Sequence, residues 1–405
     1  MVLWAAPLRS AAYTVASSCR RVRCFSVEAA AHPSNKTQVY ISRTNDALVN
    51  LSVEHRLLQI TPPESTVLIL YINSPCVVFG RNQNPWLELN LARLAQIASK
   101  RPHETQWNDS PVRLIRRRSG GGTVFHDLGN VNFSVICPPH AFDRDRHAEM
   151  VVRALKSLGR PRTRVNARHD IVIDVDTADA AADATSTFKI SGSAYKLTRL
   201  RSLHHGTCLL RSPNLPDISG MLRSPAEPFI KAQGVDSVRS PVRNVHLDNQ
   251  AFQDAVVREF DHMYGVVDVH AEFNNDALLE DPKIRAGHEE LKSRDWIYGQ
   301  TPRFSFSTHP VQDDPRPRPG LPFQKHKLYF EARHGLVEKF RVRGPSLQSE
   351  LGEDLVTQTS LQDISDWASR LHEAGLSSAE SRQLGSWMNE VLGTDFTRIA
   401  SPATL

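Results

Sequence analysis

The chain has 405 residues, with 49 lysines and arginines against 44 aspartates and glutamates, which gives a formal net charge of +5. Its hydrophobic content of 40% and charged content of 23% are ordinary globular values, so they exclude a disordered or collagen-like chain. The sequence contains no run of about 18 apolar residues, which excludes a membrane-spanning helix, and its length allows two or three domains.

The N-terminal segment has the composition of a mitochondrial transit peptide. Residues 1–27 contain four arginines, no lysine and no acidic residue, together with many alanines and serines. A secretory signal is disfavoured because no apolar stretch of about 7–15 residues follows a basic start, and a functionless disordered tail is the alternative. We predict a transit peptide and disordered leader over 1–36 and location in the mitochondrial matrix. The chain beyond the first 27 residues then has a net charge of only +1.

The cysteines indicate neither a zinc site nor a disulfide framework. Cys19 and Cys24 lie in the leader, and Cys76, Cys137 and Cys208 are widely separated in the rest of the chain. Isolated cysteines form no CxxC pattern, so we expect the last three to be small core residues in a reducing compartment.

From Gln38 onward the chain alternates predicted strands with amphipathic helices. In chain order these are a helix at 46–58, strands at 66–72, 75–79, 112–117, 122–125 and 131–136, a helix at 147–158, strands at 171–175 and 188–191, and a helix at 252–264. Asn45 or Asp46 can cap the first helix. The stretch 174–187 is rich in alanine, aspartate and threonine, which predicts an exposed, mobile loop within a hairpin.

Six prolines between residues 302 and 324 predict an extended, solvent-exposed linker. We expect it to join a larger domain at 38–301 to a small α+β domain at 325–405. In the second domain, two strands flank a hairpin turn at Arg333-His334-Gly335, and two apolar stripes with helical spacing follow.

The segment 116–132, RRRSGGGTVFHDLGNVN, contains the strongest candidate binding feature. Three consecutive glycines between β-type runs usually mark the close approach of a ligand to the main chain, and their N–H groups can donate to carboxylate or phosphate oxygens. Arg117 should face opposite to Arg116 and Arg118. A plain glycine hairpin with a basic flank is the alternative, since the segment is neither a Walker A loop nor a GxGxxG fingerprint.

Two further clusters hold candidate functional residues. Lys189 begins the sequence KISGS and can project a charge into a pocket, although a lone lysine is more often on the surface. Asp170 lies in the preceding Arg-His-Asp triplet. His204 and His205 are expected to be structural residues at a strand end that can also line the site. No set of metal ligands with suitable spacing is evident.

Together these segments resemble the lipoate–protein ligase A family, which includes the mitochondrial lipoyltransferases. The segments that carry the resemblance are GRNQNPW at 80–86, RRRSGGGTVFHDLGNVNFS at 116–134, KISGSAYK at 189–196, HHGTCLL at 204–210, GVDSVRSPVRN at 234–244, RDWIYGQTPRFSF at 294–306 and QLGSWMNEVL in the tail. Their order is that of the family, and they extend over nearly the whole chain after the leader.

The resemblance implies an α/β fold, in which a catalytic domain of the biotin/lipoate–protein ligase type is followed by a small α+β accessory domain. It also implies a two-step reaction that uses ATP and Mg²⁺. Lipoate or octanoate is first converted to an acyl-AMP, and the acyl group then passes to a lysine of a lipoyl domain.

The family's motifs assign roles to residues of this chain. Lys189 is the implied catalytic residue, which bridges the substrate carboxylate and the α-phosphate. The implied adenylate-binding residues are Arg117, Gly122, Thr123, Val124, Phe125, Asp170 and Lys189. The implied lipoate-binding residues are Gly121, Gly122, His126 and Lys189, and no protein metal site is implied. The family commonly has asparagine where this chain has His169.

The implied acceptors are the acyltransferase (E2) subunits of 2-oxoacid dehydrogenases and the glycine-cleavage H protein. We expect a monomer that binds neither nucleic acid nor membranes. The main alternative is a lipoyltransferase, which moves the acyl group from one carrier protein to another without ATP. A biotin ligase and a basic RNA-binding protein are less favoured, the latter because the only basic run outside the leader lies beside the glycines.

Overall fold

A computed structural model of the chain describes residues 23–99, 112–176, 185–274, 278–323, 326–345, 358–394 and 396. The helices are α1 Val27–Ala31, α2 Ala47–Ile60, α3 Pro85–Glu88, α4 Leu91–Ser99, α5 Arg146–Ser157, α6 Leu215–Met221, α7 Asn249–Tyr264, α8 Pro282–Lys292, α9 Arg294–Gly299, α10 Trp367–Glu373 and α11 Ser378–Leu392. None of the described helices is long and apolar enough to span a membrane.

The strands account for each strand predicted from the sequence and add several more. They are β1 Arg23–Cys24, β2 Thr37–Ser42, β3 Thr66–Ile72, β4 Cys76–Phe79, β5 Arg113–Arg116, β6 Val124–His126, β7 Asn130–Cys137, β8 Thr163–Val165, β9 Ile171–Asp176, β10 Thr185–Ser191, β11 Ser193–Leu197, β12 Ser202–Leu209, β13 Ile230–Ala232, β14 Val269–Phe273, β15 Phe304–Ser307, β16 Lys327–Arg333 and β17 Leu336–Arg343.

A seven-stranded sheet with the order β1-β14-β2-β3-β7-β12-β11 forms the centre of the larger part of the molecule. Pairing is parallel from β1 to β3 and antiparallel from β3 to β11. Side chains of β2 alternate between the faces: Tyr40 packs with α2 and α8, whereas Val39 and Ile41 pack with α5 and α7. Helices therefore cover both faces of this sheet, as in other α/β folds.

Helix α2 begins where the sequence predicts it. Asp46 is the N-cap, and its carboxylate accepts hydrogen bonds from the backbone N–H groups of Leu48 at 2.8 Å and Val49 at 3.4 Å. These contacts satisfy two of the four N–H groups that have no partner within a helix. The cap fixes which residues of α2 face the sheet.

Two small sheets bring together the segments that the sequence singles out. Strand β4 pairs in parallel with β5 and antiparallel with β6, so both sides of the glycine segment belong to one sheet. Strand β10 pairs with β9, and Lys189 lies opposite Val172. This confirms the predicted hairpin. The expected loop is wrong for 174–176 and 185–187, which are strand residues, and residues 177–184 lie outside the described residues.

The C-terminal region adds an antiparallel sheet of order β13-β15-β16-β17, with α10 and α11 packed on it. Strand β15 lies inside the predicted linker, and Phe304 and Phe306 are buried, so the expectation of exposed chain is wrong there. The alternating phenylalanines form a core strand between the prolines. Trp86 stacks on Phe304 with ring centroids 5.8 Å apart, so one hydrophobic core includes residues from both predicted domains. The predicted domain limits, 38–301 for the larger domain and 325–405 for the smaller one, stay predictions.

The hairpin turn and the cysteines match the sequence predictions. His334 and Gly335 have φ values of 55° and 75°, the left-handed geometry that a tight β-turn of this kind requires. Cys76, Cys137 and Cys208 are free thiols and are buried.

Part of the predicted disordered leader is folded. Strand β1 pairs in parallel with β14, and the ring of Phe25 lies 5.6 Å from that of Tyr40 and 6.0 Å from that of Phe273. The expectation of disorder is therefore wrong for residues 23–36, because Phe25 anchors this segment on β2 and β14, which the composition of residues 1–27 does not reveal. The transit peptide stays a prediction for residues 1–22, which lie outside the described residues.

Removal of residues 1–22 should change the free energy of unfolding by less than about 0.5 kcal/mol, whereas removal of residues 1–27 should lower it by about 2–3 kcal/mol. The longer deletion removes the ring contacts of Phe25 and the Ser26 hydroxyl, which accepts a hydrogen bond from Ala29 N at 3.2 Å. Urea unfolding of the two shortened proteins measures the difference. Equal stabilities would contradict a contribution from β1.

Candidate active site

Lys189 is held in place by an ion pair and by its own backbone. Its Nζ lies 2.8 Å from Oδ1 of Asp170, and the side chains of the two residues are 22% and 8% exposed. Asp170 also lies 3.4 Å from Nη2 of Arg168. The backbone N–H of Lys189 donates to Pro241 O at 2.8 Å, and its carbonyl accepts from Arg243 N at 3.3 Å. Lys189 is thus an oriented side chain in a cleft and not a solvated surface lysine.

Arg117 fixes the shape of the glycine loop. Its guanidinium donates to the carbonyls of Gly120 at 2.5 Å, Gly122 at 2.7 Å and Val78 at 3.2 Å, and its Nε donates to Ser119 Oγ at 2.9 Å. Burial lowers the pKa of Arg117 to about 10, so the side chain remains charged at neutral pH. These hydrogen bonds give Arg117 a supporting role in the loop, and its contact with an adenylate stays a prediction.

The glycine loop also makes a close contact with the end of β4. Gly121 has a φ of 84°, a conformation that favours glycine. A Cβ atom on Gly80 would lie 2.1 Å from the carbonyl oxygen of Gly121, so a side chain there would collide with the loop. The three glycines therefore permit backbone segments to approach each other, in addition to the approach of a ligand that the sequence suggests.

Two clefts, both open to solvent, meet at Lys189. The space inside them, with the part that is open to solvent included, is about 860 Å³ and about 1030 Å³, and Thr123, Val124 and Lys189 line both of them. The second cleft is the more apolar. Its apolar lining comprises Val124, Phe125, Ile190, Leu209, Leu215, Ile218, Leu222, Val238 and Val242. One charged side chain therefore separates two spaces, each large enough for part of a bipartite ligand.

Most of the predicted site residues meet in the first cleft. Its lining includes Arg117, Gly122, Thr123, Val124, His126, Asp170 and Lys189. Phe125 lines only the second cleft, because successive side chains of β6 point to opposite faces. Gly121 is not among the residues that line either cleft and instead packs against Ala194. Its contact with lipoate stays a prediction.

A buried chain of polar side chains lies beneath the first cleft. Nδ1 of His205 lies 3.0 Å from Oε2 of Glu54, and Nε2 of His205 lies 2.7 Å from Ser119 Oγ. Glu54 also accepts hydrogen bonds from Ser134 Oγ at 2.8 Å and from the Tyr71 hydroxyl at 3.4 Å. His205 and Tyr71 line the cleft. The chain joins α2, the glycine loop and the central sheet at one point.

The protonation states beneath the cleft follow from burial and from this network. Burial by itself raises the pKa of Glu54, but the adjacent His205 and the hydrogen bonds to the carboxylate outweigh it and lower the pKa. Burial and then Arg117 lower the pKa of His126 to about 3, and burial raises the pKa of Tyr71 well above its usual value. At neutral pH Glu54 is charged, whereas His126 and Tyr71 are neutral.

The sequence prediction missed Glu54 and placed the histidine pair incorrectly within its strand. Glu54 lies on the apolar face of α2, three residues after Leu51 and four before Leu58, and this acid on a buried stripe is the signal that could have identified it. His204 and His205 lie in the middle of β12 and not at its end. His205 lines the first cleft, whereas His204 faces away from it.

The carboxylates at the cleft do not form a metal centre by themselves. Among the residues that the structure describes, no group of three or more histidine, cysteine, aspartate or glutamate side chains could hold a metal ion. Asp170 and Asp236 are the two carboxylates that line the first cleft.

Comparison with known proteins gives consistent matches over most of the chain. Residues 46–261 match the family model described as the lipoyl protein ligase A/B catalytic domain. A Schizosaccharomyces pombe protein whose name refers to lipoate-protein ligase A is 33% identical over 379 residues, which cover 88% of this chain and 93% of that protein. The human mitochondrial protein named lipoyl amidotransferase LIPT1 is 32% identical over 323 residues, 75% of each chain.

The fold also matches a solved structure. The crystal structure of P. falciparum LipL1 in complex with lipoate aligns with a TM-score of 0.50 at 19% identity, and the alignment covers 87% of this chain and 99% of that chain. The predicted α/β fold of the lipoate/biotin ligase type, with an added C-terminal region, is confirmed.

Replacement of Glu54 by alanine should lower the free energy of unfolding by about 3 kcal/mol. His205 and Ser134 would lose a buried acceptor that lies 3.0 Å and 2.8 Å away, respectively. Glu149→Ala, on the exposed side of α5, is the matched control and should have little effect. Urea unfolding measures both variants, and a loss no greater than the control's would contradict the supporting role of Glu54.

Proposed function

The chain belongs to the lipoyl protein ligase A/B family and is an enzyme of the lipoate–protein ligase type. On this premise we propose that it activates lipoate with ATP to lipoyl-AMP and transfers the lipoyl group to a specific lysine of lipoyl domains. The observation that carries the proposal is the position of Lys189, which is paired with Asp170 at 2.8 Å where two clefts meet. An acyl-adenylate has two parts joined at an anionic phosphate, and this arrangement suits such a ligand.

The two clefts suit different parts of the acyl-adenylate. In this proposal the acyl chain occupies the first cleft, between Leu51, Val78 and Tyr71 and above His126. The adenine base occupies the second cleft, where Phe125 and other apolar side chains provide a surface for a flat ring. The mixed anhydride then lies beside the Lys189 ammonium.

Lys189 would act on both steps through its charge. In the first step a carboxylate oxygen of lipoate forms a bond to the α-phosphorus of ATP, and the bond from this phosphorus to pyrophosphate breaks. Negative charge gathers on the phosphate and carboxylate oxygens, and a fixed ammonium within hydrogen-bond reach stabilises it. Asp170 keeps the ammonium oriented before the substrates bind.

The second step requires an uncharged amine. The ammonium of an acceptor lysine has an intrinsic pKa of about 10.4 and must lose a proton before its nitrogen attacks the acyl carbonyl and AMP leaves. The cations Lys189 and Arg168 at the cleft favour this loss of a proton, since they disfavour a further positive charge nearby.

Magnesium would enter with the nucleotide. Asp170 and Asp236 line the first cleft, and one or two carboxylates together with phosphate oxygens are the usual setting for Mg²⁺. When bound, Mg²⁺ supplies neutralisation of the triphosphate charge. The oxygen ligands therefore fit a nucleotide-borne ion and not a resident metal centre.

The acceptors in this proposal are the E2 subunits of 2-oxoacid dehydrogenases and the glycine-cleavage H protein, and the enzyme is a monomer in the mitochondrial matrix. The family's chemistry supports the acceptors, and the arginine-rich, acid-free N-terminus supports the location. Octanoate would serve as an alternative to lipoate, because both are short acyl chains with a terminal carboxylate.

A second candidate function is transfer of a lipoyl or octanoyl group from a carrier protein, such as H protein, to E2 subunits without ATP. The similarity to the human lipoyl amidotransferase, at 32% identity over three quarters of each chain, favours this candidate. Both functions use the same acceptor lysine and differ in the donor.

Purified protein lacking residues 1–22 should release pyrophosphate from ATP when lipoate is present. The shorter deletion keeps β1 and the Phe25 contacts intact. The measurement is a coupled pyrophosphate assay with lipoate, with octanoate and with neither acid. Absence of pyrophosphate release, together with intact transfer from lipoylated H protein, would reject the ligase proposal and leave the transferase.

Replacement of Lys189 by alanine should lower the transfer rate by about 10²–10³-fold, because a fixed charge at the reacting phosphate is lost. The free energy of unfolding should fall by about 1 kcal/mol or less, because Arg168 remains 3.4 Å from Asp170. Lys292→Ala, an exposed lysine of α8, is the control. A large loss of stability with little loss of rate would make Lys189 a structural residue.

A further inference from the structure

Three cationic side chains gather on the outer side of the glycine loop. Arg81, Arg118 and Lys196 form this group, which we call the outer basic cluster. The guanidinium carbons of Arg81 and Arg118 lie 5.2 Å and 5.5 Å from the ring centroid of Trp296. Trp296 is 7% exposed, and its Nε1 donates to the Arg116 carbonyl at 2.7 Å. The indole is therefore fixed, and it contacts the exposed Arg81 as well as Arg118, whose side chain is 9% exposed.

Lys196 extends the cluster along β11. It shares a strand face with Ala194, which lines the first cleft, and residues two apart on a strand are about 6.6 Å from each other. A Cβ atom on Gly121 would lie 3.0 Å from the Cβ of Ala194, so this face of β11 lies against the glycine loop. Burial lowers the pKa of Lys196, and the charges of Arg81 and Arg118 lower it further. Glu290 offsets part of this charge by pairing with Arg118, whose Nε lies 3.1 Å from its carboxylate.

The outer basic cluster does not belong to the substrate clefts. None of its three side chains is among the residues that line either cleft. The backbone N–H of Arg81 donates to the carbonyl of Ser119 at 2.9 Å, so Arg81 is attached to the outside of the glycine loop. A ligand of the cluster would therefore lie beside the cleft opening and not within it.

The surroundings of the cluster indicate a protein ligand. In the described part of the chain, β11 is one of the two edge strands of the seven-stranded sheet. Leu200, in the turn between β11 and β12, is 70% exposed. A surface that combines cations, an exposed leucine and a strand edge is typical of a protein interface, in which charges guide association and apolar side chains contribute contact area.

Electrostatics determines what kind of partner fits. An acceptor lysine is itself cationic, and the first cleft is lined by three cationic side chains, Arg117, Arg168 and Lys189, against the two carboxylates of Asp170 and Asp236. Acidic side chains close to the target lysine would offset this repulsion if they met cations at the same time. We propose that the outer basic cluster, with Leu200 beside it, is the docking surface for an acidic patch that flanks the target lysine of the acceptor protein. This inference rests on the proposed function for the existence of the acceptor.

The test measures binding and transfer separately, with the full chain. The variant that combines Arg81→Glu with Lys196→Glu is compared with Arg258→Glu combined with Lys156→Glu, a double charge reversal at exposed positions of α7 and α5. Binding of an unmodified E2 lipoyl domain is followed by titration calorimetry without nucleotide. The double variant should raise the Kd at least about tenfold and weaken its salt dependence, whereas the control should match the parent chain.

Kinetics distinguishes docking from a role in activation. The double variant should raise the KM for the lipoyl domain about tenfold and leave both kcat and acceptor-independent pyrophosphate release within about twofold. Arg81→Lys with Lys196→Arg should restore binding, and thermal unfolding verifies that the variants are folded. An unchanged Kd of the double variant for the lipoyl domain would overturn the inference. A loss of pyrophosphate release would also overturn it, because the cluster would then take part in the reaction with ATP. A parent chain that binds the domain but releases no pyrophosphate would reject the ligase proposal alone.

Discussion

The hydrogen bonds from Arg117 to the carbonyls of Gly120 and Gly122 are the constraint on which the site depends. A loop of three glycines has a high conformational entropy when unfolded, so a fixed shape requires strong, charge-assisted partners. Arg117 provides them from a buried position, and the contact of Gly80 with Gly121 closes the loop on its other side. The loop then separates two surfaces: the substrate clefts on one side and the outer basic cluster on the other.

The second constraint is the hairpin of β9 and β10. Its register places Lys189 opposite Val172, and the ammonium reaches Asp170 just before β9 begins. The backbone of Lys189 also bonds to Pro241 and Arg243, and residues 236–240 of the same segment line the clefts. One strand thus holds both the Lys189 ammonium and a second part of the cleft wall.

For the candidate site, the periodicity of strands and helices predicts which face of its own element a side chain occupies, but it does not predict the side chain's distant partners. The alternation along β6 explains why Phe125 and His126 enter different clefts, although the sequence shows them as neighbours. Glu54 was not found because it stands alone on an apolar helix face, some 150 residues from His205, its partner. The folded segment 23–36 was missed because its stability comes from ring contacts with distant strands.

By itself, the sequence determined many of the strands and helices, the cap of α2, the turn at His334 and Gly335, the glycine segment and the family, since these depend on residues that are close along the chain. Only the tertiary structure decided which distant groups meet. Trp86 shares a core with β15, Trp296 holds Arg81 and Arg118, and the buried His205 supports the cleft floor. The physical reason is that such contacts depend on how whole elements pack, and no local spacing encodes that packing.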